Sequence, residues 1–331
     1  MLLRSIESSP GPVARSIIGT IRLVSPRTPV DIVRAFAYRP EILGKPFCAF
    51  CDALLRGRSD WSQGEREMLG GFVSNLNRCT HCATSHCEVA SLMLGKSRVR
   101  AVLEEDWSRE SNGKVQALLG FARTLTLAPE DLVPRDIEAL RAVPLREAAI
   151  LDGALIVTGF NFINRVASAL HFEGSSSRDI LPTAWFLRSF GYRVLASLLS
   201  RRRAAGSRAQ GPADEIRAAR GDRARLVNAA KNWLEPLCSL DPSGRHRRRD
   251  ISLEVFRKVQ HEPNSVTNAD AGSLRRIGYS DDDIFDLIVA AAAAAALMRL
   301  DLALRAVGAK PPGPTGCALA QGRQSTDVTA N

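Results

Sequence analysis

Residues 79–87 read Cys-Thr-His-Cys-Ala-Thr-Ser-His-Cys, which places three thiols and two imidazoles within nine positions. Such a group serves three ends: a metal clamp, a redox dithiol, or a sulfur-rich helix packed into a core. A zinc site would draw on Cys79, Cys82 and His86, or on Cys87, and would still need a ligand from elsewhere. On a helix, Cys79, Cys82 and His86 fall at about 0°, 300° and 340°, one narrow face. His81, near 200°, and Cys87, near 80°, lie off that face. Asn75 or Asn77 as N-cap would place Cys79 in the first turn, where free amides and the helix dipole favour a thiolate. His86, one turn beyond Cys82, can take its proton. Glu67 lies about 18 Å from Cys79 on one straight helix, out of reach. A break within Ser74–Asn77 would fold the preceding helix back and let Glu67 orient His86, as an activated nucleophile requires.

The elements that must position these groups are helices. "SQGEREMLGGFVSNL" opens with Ser62 and has Glu65 three residues on, a capping-box pattern ahead of an apolar face. "PVDIVRAFAYRPEILGKPFCAFCDALLRG" reads as two helices broken at Pro40, and helical spacing continues through "GKVQALLGFARTLTL", "PRDIEALRAV" and "LREAAILDGALIVTGFNFINRVASALHF". Alternating strand patterns of useful length are absent, so the fold class is all-α.

A repeat divides the chain. "PEDLVPRDIEALRAVPLREAAILDGALIV" lies ungapped over "PNSVTNADAGSLRRIGYSDDDIFDLIVAA", with Pro129 on Pro263, Asp136 on Asp270, Ile150 on Ile284, Asp152 on Asp286 and Arg165 on Arg299. The reading is a tandem duplication whose diverged second copy lacks the cysteine motif. The plan is an N-terminal arm at 1–30, a motif-bearing domain at 31–175 and a helix with an Arg-rich connector at 176–212. The second copy follows at 213–308, then a disordered tail at 309–331 that includes Cys317.

The chain has 331 residues, a net charge of +10, 45% hydrophobic and 24% charged residues, the composition of an ordinary globular protein. Much of the excess charge sits in "SRRRAAGSRA" and "GRHRRRD", without interleaved aromatics, so no nucleic-acid partner is expected. The N-terminus lacks a secretory apolar core, and the run from Leu287 holds 12 apolar residues before Arg299, too short to span a bilayer. A cytoplasmic protein without a membrane partner is expected. Irregularly spaced cysteines in such a chain are not a secreted disulfide framework.

The arrangement Glu67, eleven residues, Cys79-Thr80-His81-Cys82, three residues, His86 resembles the alkylhydroperoxidase D-like, peroxidase-related branch of the carboxymuconolactone decarboxylase family. "FNFINR" (Phe160–Arg165) looks like a segment common in that branch, and the resemblance covers roughly 35–172. It implies an alkylhydroperoxidase D-like helical bundle and a thiol-dependent peroxidase or disulfide oxidoreductase acting on organic hydroperoxides. Cys82 would be the thiol activated by a His86–Glu67 relay, Cys79 the accessible thiol completing the disulfide, and His81 an auxiliary group between them. The implied partners are a hydroperoxide, a thioredoxin-like or lipoyl-linked dithiol donor and further copies in a homo-oligomer, with no cofactor and no metal.

Three features depart from the family pattern: a second copy without the motif, the extra Cys87 and the Arg-rich additions. Lactone decarboxylation would leave the dithiol idle, and a non-catalytic helical assembly protein is the reading from another class. Cys48 and Cys51 form a second Cys-x-x-Cys among phenylalanines and leucines and read as core packing, as does Cys87. Phe160 and Phe162 read as core. Asn161, Asn164 and Arg165 read as buried ties between helices, with pocket lining as the alternative. His171 reads as a surface or C-terminal cap, and His246 and His261 as solvated.

Overall fold

The computed structural model describes residues 1–8, 12–24, 30–106, 110, 112–200, 211–241 and 249–308. The Arg-rich stretches (in large part), His246, Cys317 and the tail lie outside the described residues. Among the described residues there are seventeen α-helices and no strand. They are α1 (Arg4–Ser8), α2 (Pro12–Val24), α3 (Asp31–Tyr38), α4 (Lys45–Leu55), α5 (Gln63–Leu76), α6 (Thr80–Leu94), α7 (Lys96–Leu103), α8 (Gly113–Leu127) and α9 (Pro134–Ala142). There follow α10 (Glu147–Ala169), α11 (Ser177–Phe190), α12 (Arg193–Ser200), α13 (Pro212–Ala218), α14 (Arg223–Cys238), α15 (Arg249–His261), α16 (Asn268–Arg276) and α17 (Asp281–Val307).

The break near Pro40 is present as a π-type turn over Pro40–Gly44. The Ser62 box also forms, with Ser62 Oγ accepting from the Glu65 amide and Glu65 accepting from the Ser62 amide. The break after Ser74 takes a form other than the expected asparagine N-cap. Asn77 instead caps the C-terminus of α5, and Arg78 adopts φ 55°. The Arg78 amide donates to Asn75 O and the Cys79 amide to Ser74 O, the paired bonds of a Schellman motif. The chain reverses within two residues, α6 packs back along α5, and Cys79 itself becomes the N-cap of α6. Gly71 permits the close approach: a Cβ there would stand 2.4 Å from Cys87 Sγ.

Helices α10 and α17 pack together at the centre of the chain. Both are long and apolar enough to cross a membrane by length and composition, a length the 12-residue run alone does not convey, yet both are mostly buried in the protein's interior. Helix α10 rests on α5 and α8, while α17 rests on α14 and α15. Buried Ala290–Ala296 provide the small side chains that let α17 lie deep in this core.

The elements around these helices recur at the offset of the sequence repeat. Turn Pro129–Asp131 and helix α9 are matched 134 positions on by turn Pro263–Ser265 and α16, and α10 and α17 begin at the corresponding Glu147 and Asp281. Two contacts obey the same offset reciprocally. Arg165 Nε donates to Gln260 O (2.9 Å) and Arg299 Nη2 to Thr126 O (3.0 Å). Each arginine also donates from Nη1 to the carbonyl four residues back, at Asn161 and Ala295. The two segments thus exchange one guanidinium–carbonyl bond each. Each buried guanidinium thereby meets the carbonyl-rich end of the other half's helix, α15 or α8, where the dipole favours a cation.

The segment read as a helix with an Arg-rich connector contributes to the site. Helix α11 packs on α6 and α12 on α4. At the other end, α1 is a packing arm: the Leu2 amide donates to Leu170 O, Ser5 Oγ donates to Asp281, and Leu2, Leu3 and Ile6 are buried.

Candidate active site

The chain reversal at Arg78 brings Glu67 of α5 against His86 of α6. Glu67 Oε2 lies 2.6 Å from His86 Nδ1, and its side chain has no solvent exposure. Two residues not singled out from the sequence complete the carboxylate's surroundings. Arg56, just beyond α4, places Nη1 2.7 Å from Oε1, and Tyr192, between α11 and α12, donates its hydroxyl to Oε1 at 3.1 Å. Burial raises the cost of charge at Glu67, but His86 and Arg56 outweigh it and hold its pKa below the usual carboxylate range. An ionised carboxylate only accepts, so His86 Nδ1 carries the proton and Nε2 is left as the basic nitrogen.

Packing fixes these groups. The His86 ring meets the edge of Phe160 at 4.6 Å and stacks with Tyr192 at 6.3 Å. The Arg56 guanidinium lies 5.2 Å from the centroid of the Tyr192 ring and donates to Leu187 O, tying the end of α4 to α11. Burial and the neighbouring carboxylate raise the Tyr192 pKa, so the phenol stays a donor.

Cys79 and Cys82 are both nearly enclosed and carry free thiols. The Cys82 side chain faces Cys79 and lowers its pKa against the opposing effect of burial, aided by the Cys82 amide at the start of α6. Interaction with Cys79 and burial raise the Cys82 pKa. The two thiols therefore titrate as one interacting pair.

The two sulfurs line different spaces. Cys82 and His86 border an apolar cavity of about 550 Å3, walled by α3, α4, α11 and α12. Cys79 borders a separate groove of about 380 Å3 carrying Arg78, Thr80, Lys96, Arg100 and Ser177. Pro182, Phe186 and Val194 line the cavity while remaining exposed, so they mark its mouth.

His81 is anchored by Glu173 and Phe172 contacts. Its Nδ1 donates to Glu173 O at 2.8 Å, its ring meets the edge of Phe172, and burial lowers its pKa, which leaves it neutral on the cavity wall. Cys87 is buried against Gly71, its pKa pushed up to about 12. Asn161, Asn164 and Arg165 act as ties: Asn161 donates to Val157 O and Thr126 Oγ1, Asn164 Oδ1 accepts from Ser74, and Arg165 reaches the second half. His171 follows α10 with φ 56° and hydrogen-bonds Val266 O at 2.7 Å, a C-terminal cap that also joins the halves. His261 is exposed at the end of α15. Among the described residues no cluster of three or more His, Cys, Asp or Glu is arranged to hold a metal ion.

No protein-family model matches the chain, and no curated protein does. The chain is similar to the crystal structure of an alkylhydroperoxidase D core, an uncharacterized peroxidase-related protein from Ralstonia eutropha JMP134. That similarity has a TM-score of 0.44 and 24% identity, covering 51% of this chain and 87% of that one. It is likewise similar to an uncharacterized peroxidase-related protein from Silicibacter sp. TM1040, with a TM-score of 0.45 and 24% identity over 52% and 89% of the two chains.

Proposed function

We propose that the protein is a thiol-dependent peroxidase that reduces organic hydroperoxides through Cys79 and Cys82. The observation that carries this reading is the buried, ionised Glu67 bound to His86 Nδ1, with His86 and Cys82 on the wall of one apolar cavity. His86 Nε2 takes the Cys82 proton. The thiolate attacks the peroxide, the O–O bond breaks, and the leaving alkoxide takes the proton back from His86 as an alcohol. Cys82 is left as a sulfenic acid. Cys79 attacks the Cys82 sulfur; its proton and the departing hydroxide leave as water, and the Cys79–Cys82 disulfide forms. An external dithiol, thioredoxin-like or lipoyl-linked, attacks Cys79 from the polar groove and restores both thiols while becoming a disulfide itself. No metal or organic cofactor enters the scheme. We place this activity in the cytoplasm, in a homo-oligomer of a tandemly duplicated chain whose second copy is structural.

The test is peptide mapping of reduced, metal-free protein after a short hydroperoxide pulse, beside Cys82→Ser. The expected result is a Cys79–Cys82 disulfide that is absent in the variant and reversed by a dithiol. Unchanged thiols would refute the peroxidase reading and favour an assembly role.

A further inference from the structure

Cys48 and Cys51 read from the sequence as packing, and both are buried. The structure adds that both line the same cavity as Cys82 and His86. Cys51 also stands within electrostatic reach of Cys82, Glu67, Arg56 and Tyr192. Cys82 therefore has a thiol neighbour on its cavity side as well as on its groove side. Residues three apart on a helix are about 5–6 Å apart at Cβ. A disulfide needs Cβ atoms about 3.5–4.5 Å apart, so closing this pair takes a local tightening of the α4 backbone together with a turn of both side chains. The cavity leaves room for that turn. Burial raises the pKa of both thiols, so each attacks only with a base to take its proton, and His86 lines the same cavity.

We propose that Cys51 is a second resolving thiol for Cys82 and hands the resulting disulfide on to Cys48. The proposal rests on the reading of Cys82 as the thiol that peroxide oxidises. In the first step Cys51 attacks the Cys82 sulfenic sulfur. The Cys51 S–H and Cys82 S–O bonds break, the Cys51–Cys82 bond forms, and the proton leaves with the hydroxide as water. In the second step Cys48 attacks the Cys51 sulfur, Cys82 departs, and the Cys48 proton passes to it. Cys82 is then reduced again, while Cys48–Cys51 holds the two-electron oxidation, its electrons having gone to the peroxide. One chain can thus consume two hydroperoxide molecules before any external donor acts.

The experiment counts hydroperoxide consumed by fully reduced full-length chain without donor, followed by denaturing alkylation and peptide mapping. The expected burst is two equivalents per chain, with Cys79–Cys82 and Cys48–Cys51 disulfides. Cys51→Ala should halve the burst and keep Cys79–Cys82, while Cys79→Ser should yield Cys51–Cys82 or Cys48–Cys51. A burst of one equivalent, with Cys48 and Cys51 alkylated in full and only Cys79–Cys82 oxidised, overturns this inference and leaves the peroxidase reading standing. Accumulation of Cys82 sulfinic acid in Cys79→Ser, with both α4 thiols intact, overturns it independently of how Cys51→Ala folds. The absence of any burst overturns both.

Discussion

Replacing Glu67 with Gln keeps the shape of the side chain and removes its charge. The carboxylate serves His86, Arg56 and Tyr192 at 2.6, 2.7 and 3.1 Å with no solvent to replace it. A carboxamide has one accepting oxygen, and its NH2 must face a donor, either His86 Nδ1–H or the guanidinium. Breaking a buried ion pair from one side costs about 3–5 kcal/mol, because the remaining charge is stranded. The expected loss for Glu67→Gln at pH 7 is therefore about 3–5 kcal/mol, read from the urea midpoint and slope. The pH dependence has a definite sign. The folded pKa of Glu67 lies below the ordinary value of 4.5, so its stabilisation is complete above 4.5 and is lost as pH falls through the folded value. The gap between the two proteins should be constant near neutrality and narrow only in acid. On the proposed mechanism, oxidation of Cys82 by hydroperoxide should slow by at least about 100-fold, the low end of what a positioned base contributes. A loss under about 1 kcal/mol, or a gap that widens in acid, would refute the account of Glu67 as a buried, ionised acceptor.

Other consequences are equally direct. Tyr192→Phe removes one hydroxyl bond to a buried carboxylate and should cost about 1.5–3 kcal/mol, with a rise in the Glu67 pKa visible by carboxyl-labelled NMR. Gly71→Ala should destabilise by about 1–3 kcal/mol through its clash with Cys87 Sγ, and Cys87→Ala in the same chain should restore most of that in thermal melts. Arg78→Gly should raise the melting temperature, because a φ of 55° costs a side-chain residue about 1 kcal/mol. Arg165→Met and Arg299→Met should have costs of similar size, and the double variant should cost more than their sum, since each single change also relieves the repulsion between the two buried cations and the second cannot relieve it again.

The sequence made legible whatever rests on local or periodic signals. The Ser62–Glu65 box, the break at Pro40 and the 134-residue spacing of Pro129 and Pro263 all reappear as structure. So does the approach of Glu67 to His86, because the two lie on helices joined by a single tight reversal. The cap of α6 was misread for a physical reason: asparagine suits either side of a chain reversal, and here Asn77 ends α5 while Cys79 opens α6. Arg56 and Tyr192 carry no sequence signal. Their partner is identified only when α4, α5 and the α11–α12 junction converge, and Tyr192 lies beyond the stretch in which the motif falls. Cys48 and Cys51 are apolar-facing residues in sequence, and only the cavity reveals what they face.

On the proposed mechanism, the placement of Cys79 on one space and Cys82 on another makes the dithiol a partition. If both sulfurs opened on one pocket, oxidant and reductant would compete for it, and excess of either would exclude the other. Across a wall one disulfide thick, electrons cross while the molecules that deliver and accept them do not meet. A donor can dock while peroxide or its alcohol still fills the chamber behind, so turnover need not wait for one side to empty. The specificities of the two faces can then drift separately, an oily chamber tuned to the peroxide and a basic groove tuned to whatever carries the electrons in.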